Sequence, residues 1–393
     1  MTVLRNCRVL PELTPGFDGD RADIVIEGAK IAEILPTKTV CGGQILDMTG
    51  NTVLPGLIEA HVHLDLCGMS TFEENTQSDV YRSMRALKLA QDNLRRGYTT
   101  IRDLGDRGNI IIELSKAIRD QYAVGPDILT SGVILTPTEA GNEFFGTMYR
   151  ECDSPMEYRK AVRRQYQLGA DWVKVMITGA VMNPGGEPGR LIVTEDELME
   201  VTKTARLVNR PVAAHCVGTS AIKMAIRCGV RTIEHSTLMD DECIRMYLAS
   251  GQSFPIPTMG PMHNFLEFPE GKPAHYVEKS KMLYGQMVEA LRAARVAGVK
   301  MGWGMDAGVY ENSHGNGIYE FRARIQDAGF SPLECLIQAT RNNAEILQIS
   351  DSVGTLEPGK QADIAAFRGN PDQDIEALDD VELVMKGGSL IRI

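Results

Sequence analysis

The chain has 393 residues, 43% of them hydrophobic and 24% charged, enough for one large domain plus a smaller one, each with its own core. A net charge of −11, with scattered basic residues, argues against nucleic acid and anionic membrane surfaces as main partners, because both require a basic face. The opening MTVLRNCRVLPELTPG lacks the apolar run of a signal peptide, and no window nears the roughly eighteen apolar residues of a membrane span.

The eight cysteines (Cys7, Cys41, Cys67, Cys152, Cys216, Cys228, Cys243 and Cys335) are far apart and form no CxxC pair. Reduced thiols in a cytoplasmic protein are therefore expected, not a disulfide framework.

Along the chain, residues 1–52 show short β patterns with turns, such as DIVIEGAKIAEIL and QILDMTG. NTVLPGLIEAHVHL (51–64) reads as a strand, followed by an amphipathic helix over 79–96. YTTIRDLG (98–105) and DILTSG (127–132) are further strands, and a helix over 156–168 leads into ADWVKVMITGA (170–180). That stretch is apolar on both faces and so predicts a strand buried on both sides, yet it contains Lys174. A buried ammonium is costly unless paired or neutralised.

Thr194 with Glu197 predicts a capping box that starts a helix ending near residue 209. Strands PVAAHC (211–216), RTIEHS (231–236), QSFPIPT (252–258) and VKMGWGMDAG (299–308) follow, separated by helices over 221–228, 241–249 and 277–297. Eight strand candidates alternating with helices predict an α/β fold, a (β/α)8 TIM barrel over 53–348. An open doubly wound sheet lacks support, since no strand is followed by a phosphate-binding glycine motif. The flanks, 1–52 and 349–393, are alike in their short β patterns and are expected to pair into one small β-sandwich domain.

Barrel enzymes carry their chemistry at the C-terminal ends of strands. His61 and His63, two apart on a strand, share one face; His215, His235 and Asp306 each close a later strand. The bland reading of any one such histidine is a hydrogen-bonded structural residue. Only seven histidines exist, however, and four fall at the mouths of three predicted strands, with an aspartate at the eighth. Nitrogen and carboxylate donors converging on one rim describe a metal site, with zinc the default ion.

These pieces resemble the amidohydrolase superfamily of metal-dependent hydrolases. The match runs in order through LPGLIEAHVHLD (54–65), GYTTIRDLG (97–105), VKVMITG (173–179), PVAAHCVG (211–218), GVRTIEHS (229–236), GMDAG (304–308), SPLECLIQATRNNAEIL (331–347) and GTLEPGKQADIAAF (354–367). Within the superfamily the chain is most similar to the imidazolonepropionase-like and prolidase-like (Xaa-Pro dipeptidase) branch.

The resemblance implies a use for Lys174. In binuclear members a fourth-strand lysine takes up CO2 as a carbamate that bridges two divalent metals, zinc here or else iron, manganese or cobalt. It further implies that His61, His63 and Asp306 bind the more buried ion and His215 and His235 the other. A bridging hydroxide would attack an amide C–N bond while Asp306 shuttles the proton. The bland alternative is that Lys174 snorkels to the rim or pairs with Asp171.

A dipeptide or N-acyl amino acid is the implied small-molecule substrate, and homo-oligomers are common among such proteins. A small cyclic amide, as in imidazolonepropionases, is the alternative; Lys174 leans away from it because those enzymes are usually mononuclear. A deaminase would need a glutamate soon after the fifth strand, where CVGTSA has none. A non-catalytic assembly scaffold is the reading of another class, disfavoured because every ligand position is filled.

Specificity is expected from the loops after the strands. The glycine- and proline-rich ITGAVMNPGGEPGR (177–190) follows Lys174 and is expected to cover the site, with Arg190 a candidate for a substrate carboxylate. His263, Tyr310 and His314 are further candidate substrate contacts. Glu73 and Glu74 read as a solvated face. Prolidase-like members tend to have HAHG where this chain has HCVG (215–218), and Val217 cannot hold a carboxylate as a histidine would.

Overall fold

The computed structural model describes residues 1–39, 42–68, 74–184, 186–308 and 314–392. The N-terminal flank folds into strands β1 (Thr2–Arg8), β2 (Arg21–Glu27), β3 (Lys30–Pro36), β4 (Gln44–Asp47) and β5 (Asn51–Pro55). The barrel strands follow: β6 (Leu57–Val62), β7 (Tyr98–Asp103), β8 (Asp127–Thr130), β9 (Ile134–Thr136), β10 (Tyr149–Glu151), β11 (Val173–Met176), β12 (Val212–Cys216), β13 (Thr232–His235) and β14 (Phe254–Ile256). The C-terminal flank adds β15 (Ile364–Arg368), β16 (Val381–Lys386) and β17 (Ser389–Ile391).

The two flanks join in a separate sheet domain of eight strands, ordered β17-β16-β15-β5-β1-β2-β3 with β4 on β1. Its core is formed by alternate apolar residues such as Leu4, Ile24, Val53, Ile364 and Met385. The stretch predicted as one strand over 51–64 is two. It breaks at Gly56, so β5 pairs with β15 in the terminal sheet while β6 enters the barrel. The boundary expected after residue 52 therefore falls inside a strand of the terminal sheet.

The barrel closes from two parallel ladders, β6-β7-β8 and β10-β9-β11-β12-β13-β14. One seam is made by Asp171 N and Trp172 N, which both donate to Thr130 O, at 2.8 and 3.1 Å. At the other seam the predicted eighth strand, 299–308, lies between β14 and β6 without forming a regular ladder. Gly302 N donates to Pro255 O (3.1 Å), Asp306 N to His61 O (2.8 Å) and His63 N to Ala307 O (2.9 Å). A Cβ on Gly302 would lie 2.6 Å from Asn343 Oδ1, an oxygen held in place by the hydrogen bond it accepts from Trp303 N, so a side chain here would disturb the seam.

Asn343, from a downstream helical stretch, secures that seam. Its amide donates to Ile58 O (2.7 Å) and Trp303 O (2.8 Å), and its carbonyl accepts from Trp303 N (2.9 Å). The capping box forms, with Thr194 N donating to Glu197 at 2.8 Å at the start of the helix Glu195–Leu207. No helix among the described residues is long and apolar enough to cross a membrane.

Candidate active site

The strand ends place five donors around one point at the barrel mouth. His61 and His63 leave β6 on the same face, and the two Nε2 atoms approach Asp306 Oδ1 at 3.5 and 3.4 Å. Donor atoms of His61, His235 and Asp306 all lie within 4.8 Å of one another. The His215 and His235 rings are 4.5 Å apart, centroid to centroid, and those of His61 and His235 5.1 Å. His235 and Asp306 both have left-handed backbones, φ 68° and 55°, a conformation uncommon for non-glycine residues that tends to persist at functional sites.

The hydrogen bonds behind the rings fix which nitrogen faces the mouth. A carbonyl can only accept, so His63 Nδ1 donates to Gly105 O at 3.0 Å and its Nε2 is left with a lone pair. His61 Nδ1 likewise donates to the Glu234 carboxylate at 2.9 Å. Both Nε2 lone pairs therefore point at a carboxylate oxygen, an arrangement of electron donors alone. His235 Nδ1 is held by Thr258 Oγ1 at 2.7 Å, and His215 Nε2 donates to Gly179 O at 3.4 Å. Burial, reinforced by the Lys174 charge, pushes His63 and His215 down to about 3, and burial holds His61 and His235 well below the usual imidazole range. Neutral imidazoles oriented by outer hydrogen bonds, facing one carboxylate, are the donor set a divalent cation requires.

Lys174 lies on β11 with 2% of its surface exposed, so it does not snorkel to the rim. It makes no hydrogen bond or ion pair among the described residues. Asp171 instead accepts from Thr130 N at 3.1 Å. Burial brings the Lys174 ammonium down to about 8, against the raising effect of Glu234 and Asp306. Burial likewise pushes the Asp306 carboxyl up to about 7, with Lys174 opposing.

Two groups beneath the site have no local signal in the sequence. Glu234 Oε1 accepts from Arg102 Nη2 at 2.9 Å, and Arg102, wholly buried, also donates to Ala60 O (2.7 Å) and stacks 4.4 Å over the Trp172 ring. Glu59 accepts from His61 N (2.8 Å) and Met305 N (3.1 Å), tying β6 to the segment that carries Asp306. Glu74 is not on a solvated face: it is 1% exposed and accepts from Cys67 N (2.9 Å) and Arg107 Nη2 (3.1 Å). Glu73 lies outside the described residues.

A cavity opens over the donors, walled by apolar side chains that include Phe145, Tyr149, Met148, Met182, Met262 and Phe265. The segment after Lys174 covers one side. It folds back through bridges between Thr178 and Leu191 and between Gly179 and Pro188, and Ala180, Val181 and Met182 line the cavity. Lys279 pins this cover, donating to the carbonyls of Asn183 and Gly186, both at 2.8 Å.

The structure does not bring Arg190, His263 or His314 into the cavity wall. Arg190 is exposed and paired with Glu139. His263 faces Glu267 (3.2 Å) and Asp327 (3.3 Å) on the outer side of its helix, Gly260–Glu267. His314 is buried and donates to Leu66 O at 3.0 Å, supporting the loop behind His63. Tyr310 lies outside the described residues.

Comparison with known proteins agrees with this architecture. The family model described as "Amidohydrolase family" matches residues 52–391. An ochratoxinase of Aspergillus niger is 28% identical over 372 residues, covering 86% of this chain and 75% of that one. Among solved structures, a Xaa-Pro dipeptidase with bound methionine in its active site superposes with a TM-score of 0.90 at 28% identity, over 100% of both chains. A prolidase complexed with N-methylphosphonate-L-proline does so with a TM-score of 0.90 at 31% identity, over 100% of this chain and 99% of the other. The chain belongs to the amidohydrolase family and is a hydrolytic enzyme acting on C–N bonds.

Proposed function

We propose that this enzyme cleaves an amide bond at a centre of two divalent ions. The observation that carries the two-ion reading is Lys174, buried among the donors with no hydrogen bond or ion pair among the described residues. As a neutral amine it adds CO2, forming an N–C bond and releasing a proton, and the resulting carbamate has two oxygens to share between two cations. In this reading His61, His63 and Asp306 would hold the more buried ion and His215 and His235 the other, with Lys174, as its carbamate, contributing to the same centre. The ions, when bound, supply acidification of water and polarisation of the scissile carbonyl; zinc is the first choice, with iron, manganese and cobalt as alternatives.

Asp306 takes the proton of the attacking water on its carboxylate and delivers it to the departing amine nitrogen. The apolar cavity wall excludes water from this transfer. Support for an amide comes from the dipeptidase, prolidase and ochratoxinase relatives, and a dipeptide or N-acyl amino acid is the substrate to assay first. A homo-oligomer and a cytoplasmic location complete the proposal.

The test is metal analysis of protein expressed with zinc or manganese and bicarbonate, together with Lys174→Ala. About two equivalents in the parent chain, falling in the variant along with activity, is the expected outcome. Fewer than about one equivalent in the parent would leave the scaffold reading. A Lys174→Ala protein with two ions and full activity would remove the carbamate.

A further inference from the structure

Every lysine, arginine and histidine of the chain lies among the described residues; the stretches outside them contain none. The cavity can therefore be inventoried for cations. Apart from Lys174 and the four histidines at the barrel mouth, no basic side chain lines it. The nearby candidates are engaged elsewhere: Arg190 pairs with Glu139, Lys279 donates to the carbonyls of the cover, and Lys272 donates to Asn264 O and Phe268 O.

What faces the ligand instead is Phe145 stacked on Tyr149 at 4.5 Å, with Phe265, Met148, Met182 and Met262 around them. A carboxylate remote from the reacting bond would be desolvated there with no counter-charge, which is costly. Flat or bulky apolar groups suit an aromatic pair, and thioether side chains adapt to their shape.

We propose that the cavity selects amides whose substituents beyond the scissile bond are apolar and uncharged, so that a carboxylate-blocked or carboxylate-free amide is preferred over the matching free acid. This rests on the reading of the chain as an amide hydrolase, but turns its substrate class away from free dipeptides and N-acyl amino acids toward their carboxylate-blocked counterparts. Met182 and Met262 are the specificity-determining positions.

Binding separates the two readings. Calorimetry on the chelator-stripped Lys174→Met protein, where no turnover occurs and no ammonium lines the cavity, compares N-acetyl-phenylalanine N-methylamide with N-acetyl-phenylalanine. The neutral ligand should bind at least about tenfold more tightly. Met182→Lys should cut that preference by at least about tenfold, with Met262→Lys as a second variant should the first fail to fold. Equal or tighter binding of the acid by the Lys174→Met protein, or binding of neither ligand, overturns the proposal. Turnover of the N-methylamide and of apolar anilides by the metal-loaded enzyme is read separately. Preferential binding without any turnover would sink the hydrolase reading while leaving the selectivity in place.

Discussion

Glu234 Oε2 accepts the Nδ1 proton of His61 at 2.9 Å where both side chains are sealed from solvent, 0% and 1% exposed. The other oxygen of the same carboxylate holds Arg102 at 2.9 Å. One acid thus orients a candidate ligand and neutralises a buried cation. Glu234→Gln preserves the shape but leaves Arg102 without its counter-charge, a change that costs about 3–5 kcal/mol in buried pairs. The loss of the outer carboxylate should also weaken metal binding about 10- to 100-fold. Denaturant unfolding and metal titration of the stripped protein check both numbers. Unchanged affinity would mean that His61 is not a ligand.

Much of this site was legible because strand ends mark themselves. His61, His63, His215, His235 and Asp306 each follow an apolar run, and Lys174 interrupts one. The Glu234–Arg102 pair was not legible. It joins residues 132 apart, and although both lie on predicted strands nothing local says that these two charges meet. Glu74 was misread for the same reason: its partner Arg107 lies 33 residues away, so a surface-like sequence conceals a buried ion pair. The eighth segment was identified as extended but not as irregular, because Asn343, which stitches it to β6, comes from a helical stretch 40 residues beyond Trp303. Loop candidates fared as their class does. Arg190 and His263 found acidic partners on the outside, and no local pattern records which way a loop side chain turns.

The depressed histidines set a pH dependence for the metal-free protein. Unfolded imidazoles protonate near 6.5, whereas His63 and His215 in the folded chain do so only at about 3, chiefly because of burial. Between those values the unfolded state binds more protons, so stability rises with pH and is lost as pH falls through 6.5. Buried acids act in the opposite sense over the same range, chiefly through burial: Asp306 and Asp106, both raised to about 7, and Glu59, Asp103 and Glu320, also raised, so the histidine share is read by difference. In chelator the parent chain should lose more stability between pH 6.5 and pH 4.5 than a His63→Gln, His215→Gln double variant does. Equal losses in the two proteins would contradict the neutral-imidazole site.

Asp306→Asn isolates proton transfer. The residue sits at φ 55°, a left-handed conformation that asparagine tolerates as well as aspartate does, so the backbone is not newly strained. The amide keeps an oxygen toward the metal side but cannot accept and return a proton. The expected loss in kcat is about 10²- to 10⁴-fold in a folded protein, measured on a neutral amide with metal content determined on the same sample. Retention of most of the parent kcat would remove Asp306 from the reaction.

Gly218→Ala tests whether the cover over Lys174 is a built part of the site. Gly218 has φ −84°, which alanine adopts freely, so the backbone conformation is not the obstacle. Its added Cβ would instead meet Gly189 O at 2.2 Å and Gly189 C at 3.0 Å. Gly189 belongs to the cover, one residue past the Gly179–Pro188 bridge. The clash is with backbone, so no side chain can swing aside, and the cover itself must move. The helix Thr219–Arg227 that begins at Gly218 is anchored against the barrel, which leaves the cover as the yielding partner. Overpacking of this kind costs about 1–3 kcal/mol, and proteolysis within 181–190 should accelerate while kcat/KM falls. Gly285→Ala is the control: this glycine lies inside the helix Ala274–Val296 with nothing within 4 Å of its added Cβ. Helix propensity alone predicts a gain of about 0.5–1 kcal/mol there and unchanged turnover. If the two variants behave alike, the cover does not depend on contact with Gly218, and its place over the site has some other cause.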